Sequence, residues 1–439
     1  MTIFPGSRIS GGHSRKRLRI LLTEGSSTSA RQTICALGRL SHRIDILDPQ
    51  PLCLGRFSRY VRAWYRCPPF SSQPDAYLRF LINRLRRGRY DVLIPVHDQV
   101  YLLAYFRDKI QRHVAVALPP PAALERIQSK SALLSTLDSL CLPHPATAVA
   151  ADIADLPGMA QFPCYVKLAY GTAGTGVWFA REASELGHII AEIQRTSKSH
   201  QEILLQEPMQ GVVTVSQAVF NTGRSVAMHS YQARALGVGG SARCRESVSQ
   251  PIAESHLRLL GESLQWHGAI HVEYFCDRSG QPSYIDANPR IGETMNATLS
   301  GTNLCDVLVQ VSLGSAGRMA ASSSTGVRSH SLLTSLLALA ESGASRRNLL
   351  QNVFQARFKR GLYEASEEEM SLLAQDWPSA IPLVAVLFRL FANRAAAREM
   401  VGATVANYGL TASGVDIIRE FLAGAGSRAG DRVREPNGG

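Results

Sequence analysis

The stretch HVEYFCDRSGQPSYIDANPR, residues 271–290, restricts what the chain can fold into more than any other segment. It reads as two strands joined by the turn DRSGQ, with Gly280 suited to a hairpin. Strand side chains alternate between faces, so Asp286, Asn288 and Arg290 share one face. The hairpin then brings Glu273 opposite Asp286 and Asn288. Such a row of charged and polar groups is costly to bury unless something charged is bound there. Two carboxylates and an amide oxygen form a hard-oxygen set that suits Mg²⁺, which prefers a few carboxylates together with substrate phosphates. A hairpin carrying satisfied surface acids is the plain alternative.

A second block, FPCYVKLAYGTAGTGVWFA (162–180), puts Lys167 inside an apolar strand and follows it with Gly171, Gly174 and Gly176. Only six of the 47 basic residues are lysine, which gives weight to one placed in a strand core. A lysine there needs an anionic partner. A Gly/Thr loop directly after it can turn backbone N–H groups onto phosphate. Lys130 opens the preceding helix, where a solvated side chain is the ordinary expectation. A third block, EILLQEPMQG (202–211), is an apolar strand passing into a polar connector at Gln206 and Glu207, a setting whose backbone can read an adenine. Further on, YQARALGVGGSARCRESV (231–248) reads as a mobile loop carrying Arg234, Arg243 and Arg245. Guanidinium pairs bidentately with carboxylate, so this loop is suited to capture an anionic substrate, with Arg245 ranked above Arg243.

Around these blocks, alternating strands and helices mark an N-terminal α/β unit. LRILLTE (18–24), a turn, a helix and RIDILD (43–48) come first, and DVLIPV (91–96) follows, ending in HDQ. Such alternation predicts a doubly wound parallel sheet whose ligands sit beyond the strands' C-terminal ends, near His97 and Asp98. A proline-bounded linker with one helix spans 118–147. Strands interrupted by two helices then predict α+β structure to about residue 290. After about 330 the pattern is helical.

Of the net charge of +12, the first 120 residues carry more than all, with 20 Lys and Arg against 7 Asp and Glu. The densest cluster, NRLRRGRYD (83–91), lies at a helix end and is read as a solvated surface, so a nucleic-acid partner is disfavoured. No run of 18 apolar residues exists, and the longest late stretch (380–392) carries Arg389, which disfavours a membrane. The N-terminus lacks the apolar segment of a secretory signal, and the eight cysteines show no CxxC or zinc spacing. Reduced thiols in a cytoplasmic protein are the expectation.

The order and spacing of Lys130, Lys167 with its glycine loop, Gln206–Glu207, then Glu273, Asp286 and Asn288 resemble the ATP-grasp superfamily. The resemblance covers about residues 18–315 and is nearest to the carbamoyl phosphate synthase-like and carboxylate–amine ligase branch. It implies an α/β domain over 18–120 and a two-lobed ATP-grasp core over 121–316, with lobes of about 121–205 and 206–316. A helical region over 317–425 and tails at 1–17 and 426–439 complete the organisation. It further implies that Lys130, Lys167, Gly174 and Gly176 hold ATP phosphates and that Gln206 and Glu207 line the adenine. Glu273, Asp286 and Asn288 would carry Mg²⁺, with Mn²⁺ as an alternative. Arg290 would meet the transferred phosphate or the substrate carboxylate, and Lys167, Arg290 and Arg245 would form the catalytic set.

Three positions depart from the family pattern. Asp286 stands where Glu is usual, Ser129 precedes Lys130 in place of Asp, and Val213 replaces a ribose-contacting acid. The implied activity is phosphorylation of a carboxylate and its coupling to an amine, with ADP released. Small-molecule carboxylate and amine substrates are the implied partners, and a homodimer is admissible. Two rivals stay open: an enzyme phosphorylating bicarbonate, and a catalytically silent nucleotide- or RNA-binding protein.

Overall fold

The computed structural model describes residues 16–171, 174–196, 201–315, 323–370 and 373–430. The expected tails lie outside it except for residues 16–17 and 426–430, and the latter belong to the helix Ala412–Gly430.

The N-terminal strands β1 (Arg19–Leu22), β2 (Arg43–Leu47), β3 (Val61–Tyr65) and β4 (Val92–Ile94) form a parallel sheet in the order β3-β2-β1-β4. β1, β2 and β4 are short apolar runs because a parallel sheet covered by helices is buried on both faces. Ile20, Leu21, Leu22, Ile44, Ile46 and Leu93 are fully enclosed. The first crossover helix, Thr28–Gly38, begins where Ser27 Oγ accepts the N–H of Ala30 at 2.9 Å.

The first lobe of the central region is a four-stranded antiparallel sheet: β5 (Thr147–Ala150), β6 (Cys164–Leu168), β7 (Val177–Ala180) and β8 (Ile203–Gln206), ordered β5-β8-β6-β7. The helix Ala183–Thr196 covers it with Leu186, Ile189 and Ile193, which recur at helical spacing on one face.

The second lobe is a seven-stranded sheet: β9 (Val212–Asn221), β10 (Arg224–Leu236), β11 (Ala242–Val248), β12 (Gly268–Cys276), β13 (Pro282–Asn288), β14 (Arg328–His330) and β15 (Ser366–Glu368). The order is β13-β12-β9-β10-β11-β14-β15. In the β12–β13 hairpin Glu273 pairs with Asp286 and His271 with Asn288, while Tyr274 pairs with Tyr284. Ile285 is therefore an extra residue, a bulge that bends β13 next to Asp286.

Two expectations are corrected. The segment 231–248 is not a mobile loop: β10 runs to Leu236, a tight turn covers Val238–Gly240, and β11 pairs with both β10 and β14. The arginines at 243 and 245 masked the strand, because a charged residue within a buried ladder has no apolar signature. The region 317–425 is not purely helical either, since it supplies β14 and β15.

Helices Leu332–Glu341, Arg346–Arg357, Ala380–Ala392 and Ala396–Tyr408 gather around Leu336, Leu349, Leu390 and Ala397. The last helix sets Val415 and Ile418 into the core that holds Tyr77, Leu81 and Phe106 of the N-terminal domain. Among the described residues no helix is long and apolar enough to cross a membrane. None of the eight cysteines forms a disulfide.

A buried ion pair fastens this C-terminal region to the first crossover helix. Arg31 Nη2 donates to Asp376 Oδ2 at 2.8 Å, and Asp376 also accepts from Ser58 Oγ at 2.6 Å and the Arg59 N–H at 2.8 Å. Asp376→Ala would leave the Arg31 charge enclosed without a counter-charge, at a cost of about 3–5 kcal/mol. Urea unfolding should register that loss, and a change below about 1 kcal/mol would show that the two regions are held together by other contacts.

Candidate active site

Glu273 on β12 and Asp286 and Asn288 on β13 emerge on one sheet face and line a cavity of about 610 Å³, together with His271, Arg290 and Glu293. Asn288 Nδ2 donates to Glu273 Oε1 at 3.5 Å, and His271 Nε2 lies 3.7 Å from the same oxygen. Burial pushes the Glu273 carboxyl up, but the neighbouring His271 and the charges of Arg290 and Lys130 outweigh this and hold it below the usual range. Among the described residues no three His, Cys, Asp or Glu side chains form a metal cage. The donor set is two carboxylates and an amide, which fits Mg²⁺ completing its shell with phosphate and water.

Lys167 comes from β6 of the first lobe, and only 7% of it is exposed. Its partner is a neutral oxygen: Nζ donates to Gln206 Oε1 at 2.6 Å, and Gln206 Nε2 donates to Thr147 Oγ1 at 3.0 Å. Burial lowers its pKa to about 8, offset in part by the carboxylates of Asp286 and Glu273 and reinforced by Lys130. The two lobes thus share one electrostatic site. Lys130 Nζ reaches Gly171 O at 3.5 Å, and a narrow crevice is lined by Lys130, Gly171, Asp286, Asn288 and Arg290. Ser129 caps this helix by accepting the Ala132 N–H at 3.1 Å. The Lys130 N–H is anchored to Ala169 O at 2.9 Å, just beyond β6.

Gly174 and Gly176 both take φ of +75°, the left-handed conformation that favours glycine. A Cβ on Gly174 would come within 2.5 Å of Gly239 Cα, so the glycine loop of the first lobe abuts the β10–β11 turn of the second. The expected adenine connector is only partly available. Gln206 turns its side chain inward onto Lys167, and the Glu207 N–H is engaged by Ala146 O at 3.0 Å, so Glu207 extends the β5–β8 ladder.

Arg290 is buried and paired with Asp98, which follows β4 of the N-terminal domain. Asp98 also accepts the Leu410 N–H at 2.8 Å from the C-terminal region. Burial favours the neutral acid, but Arg290 and His97 reverse this and keep Asp98 ionised. Burial and Arg290 bring His97 down to about 4, so it is neutral at pH 7, with its ring 4.1 Å from that of Tyr408. Arg290 Nε has no hydrogen-bond partner among the described residues. The sequence placed Asp98 at the ligand end of the sheet, and the structure gives it a different task, holding Arg290.

Arg245 sits in β11 with 2% of its side chain exposed, in contact with Glu293 and Glu369. Glu369 also accepts from Gln32 Nε2 at 2.9 Å and Ser329 Oγ at 2.6 Å. This is a buried network rather than an arginine on a loop reaching for substrate. Its cavity-side member is Glu293, which also accepts from Thr28 Oγ1. Sequence reasoning missed Glu369, which lies in a stretch of four acids with no local pattern. It also missed His271, although its alternation with Glu273 was a usable signal.

No family model matches the chain, and no curated protein is significantly similar to it. Solved structures do share its architecture. Biotin carboxylase from Campylobacter jejuni superposes with a TM-score of 0.57 at 14% identity, over 71% of this chain and 74% of that one. N5-carboxyaminoimidazole synthetase from Staphylococcus aureus, complexed with ADP, gives 0.56 at 14% identity over 77% and 86%. L-amino acid ligase from Bacillus licheniformis gives 0.51 at 17% identity over 68% and 75%. At these identities the likeness is one of fold. The chain has the fold of the ATP-grasp proteins.

Proposed function

We propose that the protein is an ATP- and Mg²⁺-dependent ligase that phosphorylates a carboxylate and couples it to an amine. The observation that carries this reading is the crevice lined by Lys130 of one lobe and by Asp286, Asn288 and Arg290 of the other, near enough to Lys167 for the charges of Asp286, Glu273 and Lys130 to act on it. A carboxylate oxygen attacks the γ-phosphorus of ATP, the bond to the β–γ bridging oxygen breaks, and ADP leaves. The amine nitrogen then attacks the acyl carbon, phosphate departs with the carboxylate's oxygen, and the nitrogen loses a proton.

Lys167 and Lys130 hold the phosphates, and Arg290 stabilises the charge as it moves to the transferred group. Glu273, Asp286 and Asn288 would hold Mg²⁺, which would supply neutralisation of charge on the phosphates. Arg245 acts through Glu293, which it holds at the cavity wall. Bicarbonate is the lesser reading, because so small an acid leaves the apolar lining from the C-terminal helices without a role.

Product analysis over a panel of carboxylates and amines tests the reaction. ADP and phosphate are expected, whereas AMP with pyrophosphate would contradict the reading. Replacing Glu273 with Gln and Asp286 with Asn together should abolish Mg²⁺-dependent turnover while the fold persists, and full activity would remove the metal assignment. ATP affinity gives a further check. Lys167 is charged below pH about 8, and a bound polyphosphate favours that form. Affinity should therefore fall about tenfold per pH unit above 8 until proton uptake on binding is complete. Lys167→Arg, which does not titrate there, should abolish the fall. A wild-type affinity flat from pH 7 to 10 would take Lys167 out of the phosphate site.

A further inference from the structure

The cavity does not end at the charged residues. Its lining extends to the helices Leu332–Glu341, Ala380–Ala392 and Ala396–Tyr408, which contribute Leu337, Ile381, Val386, Met400, Val401 and Val405. The only charged side chain among the cavity-lining residues of these helices is Arg389, which donates to Glu399 Oε1 at 3.1 Å. The rest of the lining includes the two carboxylates, Arg290, Ser26, Ser27 and Thr28. Ile381 is 44% exposed, and Leu337, Val386, Met400 and Val401 are part-exposed, so this apolar surface is only partly covered by the protein's own side chains. Exposed apolar surface of this kind marks a binding surface. The volume falls in the range of small-molecule sites.

We propose that the acid activated here carries an extended apolar tail, which lies against the C-terminal helices while its carboxylate meets Arg290 and the metal-binding acids. This rests on the ligase reading for the carboxylate end alone. The tail assignment follows from the two kinds of lining in one cavity, charged groups from the central sheet and apolar side chains from the C-terminal helices. An occupant that satisfies both is an amphipathic acid. The C-terminal region then serves as the specificity wall of the site.

The test is calorimetric titration of the full chain, with ADP and Mg²⁺ present, by acetate, butanoate, hexanoate and octanoate. Each methylene taken from water should tighten binding about fourfold until the wall is covered. Ala385, on the cavity side of its helix and exposed, allows a larger side chain to fill the tail space without entering the core. Ala385→Phe should flatten the series beyond butanoate, with folding checked by melting temperature. Val401→Phe serves if that variant does not fold.

Equal affinity across the series, no binding of any acid, or a gradient found only with alkylamines would each overturn the proposal. The two readings fail separately. ADP formation with acetate-sized acids and no gradient keeps the ligase and removes the tail site. A gradient without turnover of any acid keeps the tail site and removes the ligase.

Discussion

The buried pair of Arg290 and Asp98 is the contact on which the rest of the site depends. Arg290 follows β13 of the central sheet, Asp98 follows β4 of the N-terminal sheet, and the Leu410 N–H binds the second Asp98 oxygen at 2.8 Å. Three regions far apart in sequence therefore converge on one carboxylate. A charge pair enclosed to this degree holds only if both partners are present, since removing one strands the other at a cost of about 3–5 kcal/mol. The arrangement fixes the guanidinium before any ligand arrives. Preorganised charge of that kind stabilises a transition state without reorganising during the reaction.

A second buried network borders the same cavity. Arg245 holds Glu293 and Glu369, and Glu369 is bonded to Gln32 and Ser329. Gln32 belongs to the first crossover helix and Ser329 to β14, so the N-terminal domain, the central sheet and the C-terminal region are joined again. Between these two networks lie the carboxylates of Glu273 and Asp286, with Lys167 and Lys130 contributed by the opposite lobe. Lys167, lowered to about 8, is sensitive to what binds, because its hydrogen-bond partner is the neutral amide oxygen of Gln206.

What the sequence revealed was whatever has a local period. The β12–β13 hairpin, the buried lysine strand and the glycine loop were legible because alternation and positive-φ glycines are properties of neighbouring residues. β3 was missed because it is an edge strand with Arg62 turned out and no fully buried residue. β11 was missed because its two arginines look solvated until Glu293 and Glu369 are brought to Arg245 from 48 and 124 residues away. Asp98 was placed at the right end of its sheet, yet its bond to Arg290 spans 192 residues, a separation no spacing rule reports. The apolar wall of the cavity was invisible for a related reason. Its helices look like ordinary core helices, and only their assembly leaves one face open.

The central claim is that a carboxylate oxygen attacks the γ-phosphorus, and the path of that oxygen tests it most directly. A carboxylic acid labelled with ¹⁸O in both carboxyl oxygens is incubated with the enzyme, ATP, Mg²⁺ and amine, and the released phosphate is analysed by mass spectrometry. The account predicts one ¹⁸O in each phosphate formed, with ADP as the nucleotide product. Unlabelled phosphate would mean that water attacks ATP directly, and label recovered in AMP would mean that the acid is activated by adenylation. Either result contradicts the account.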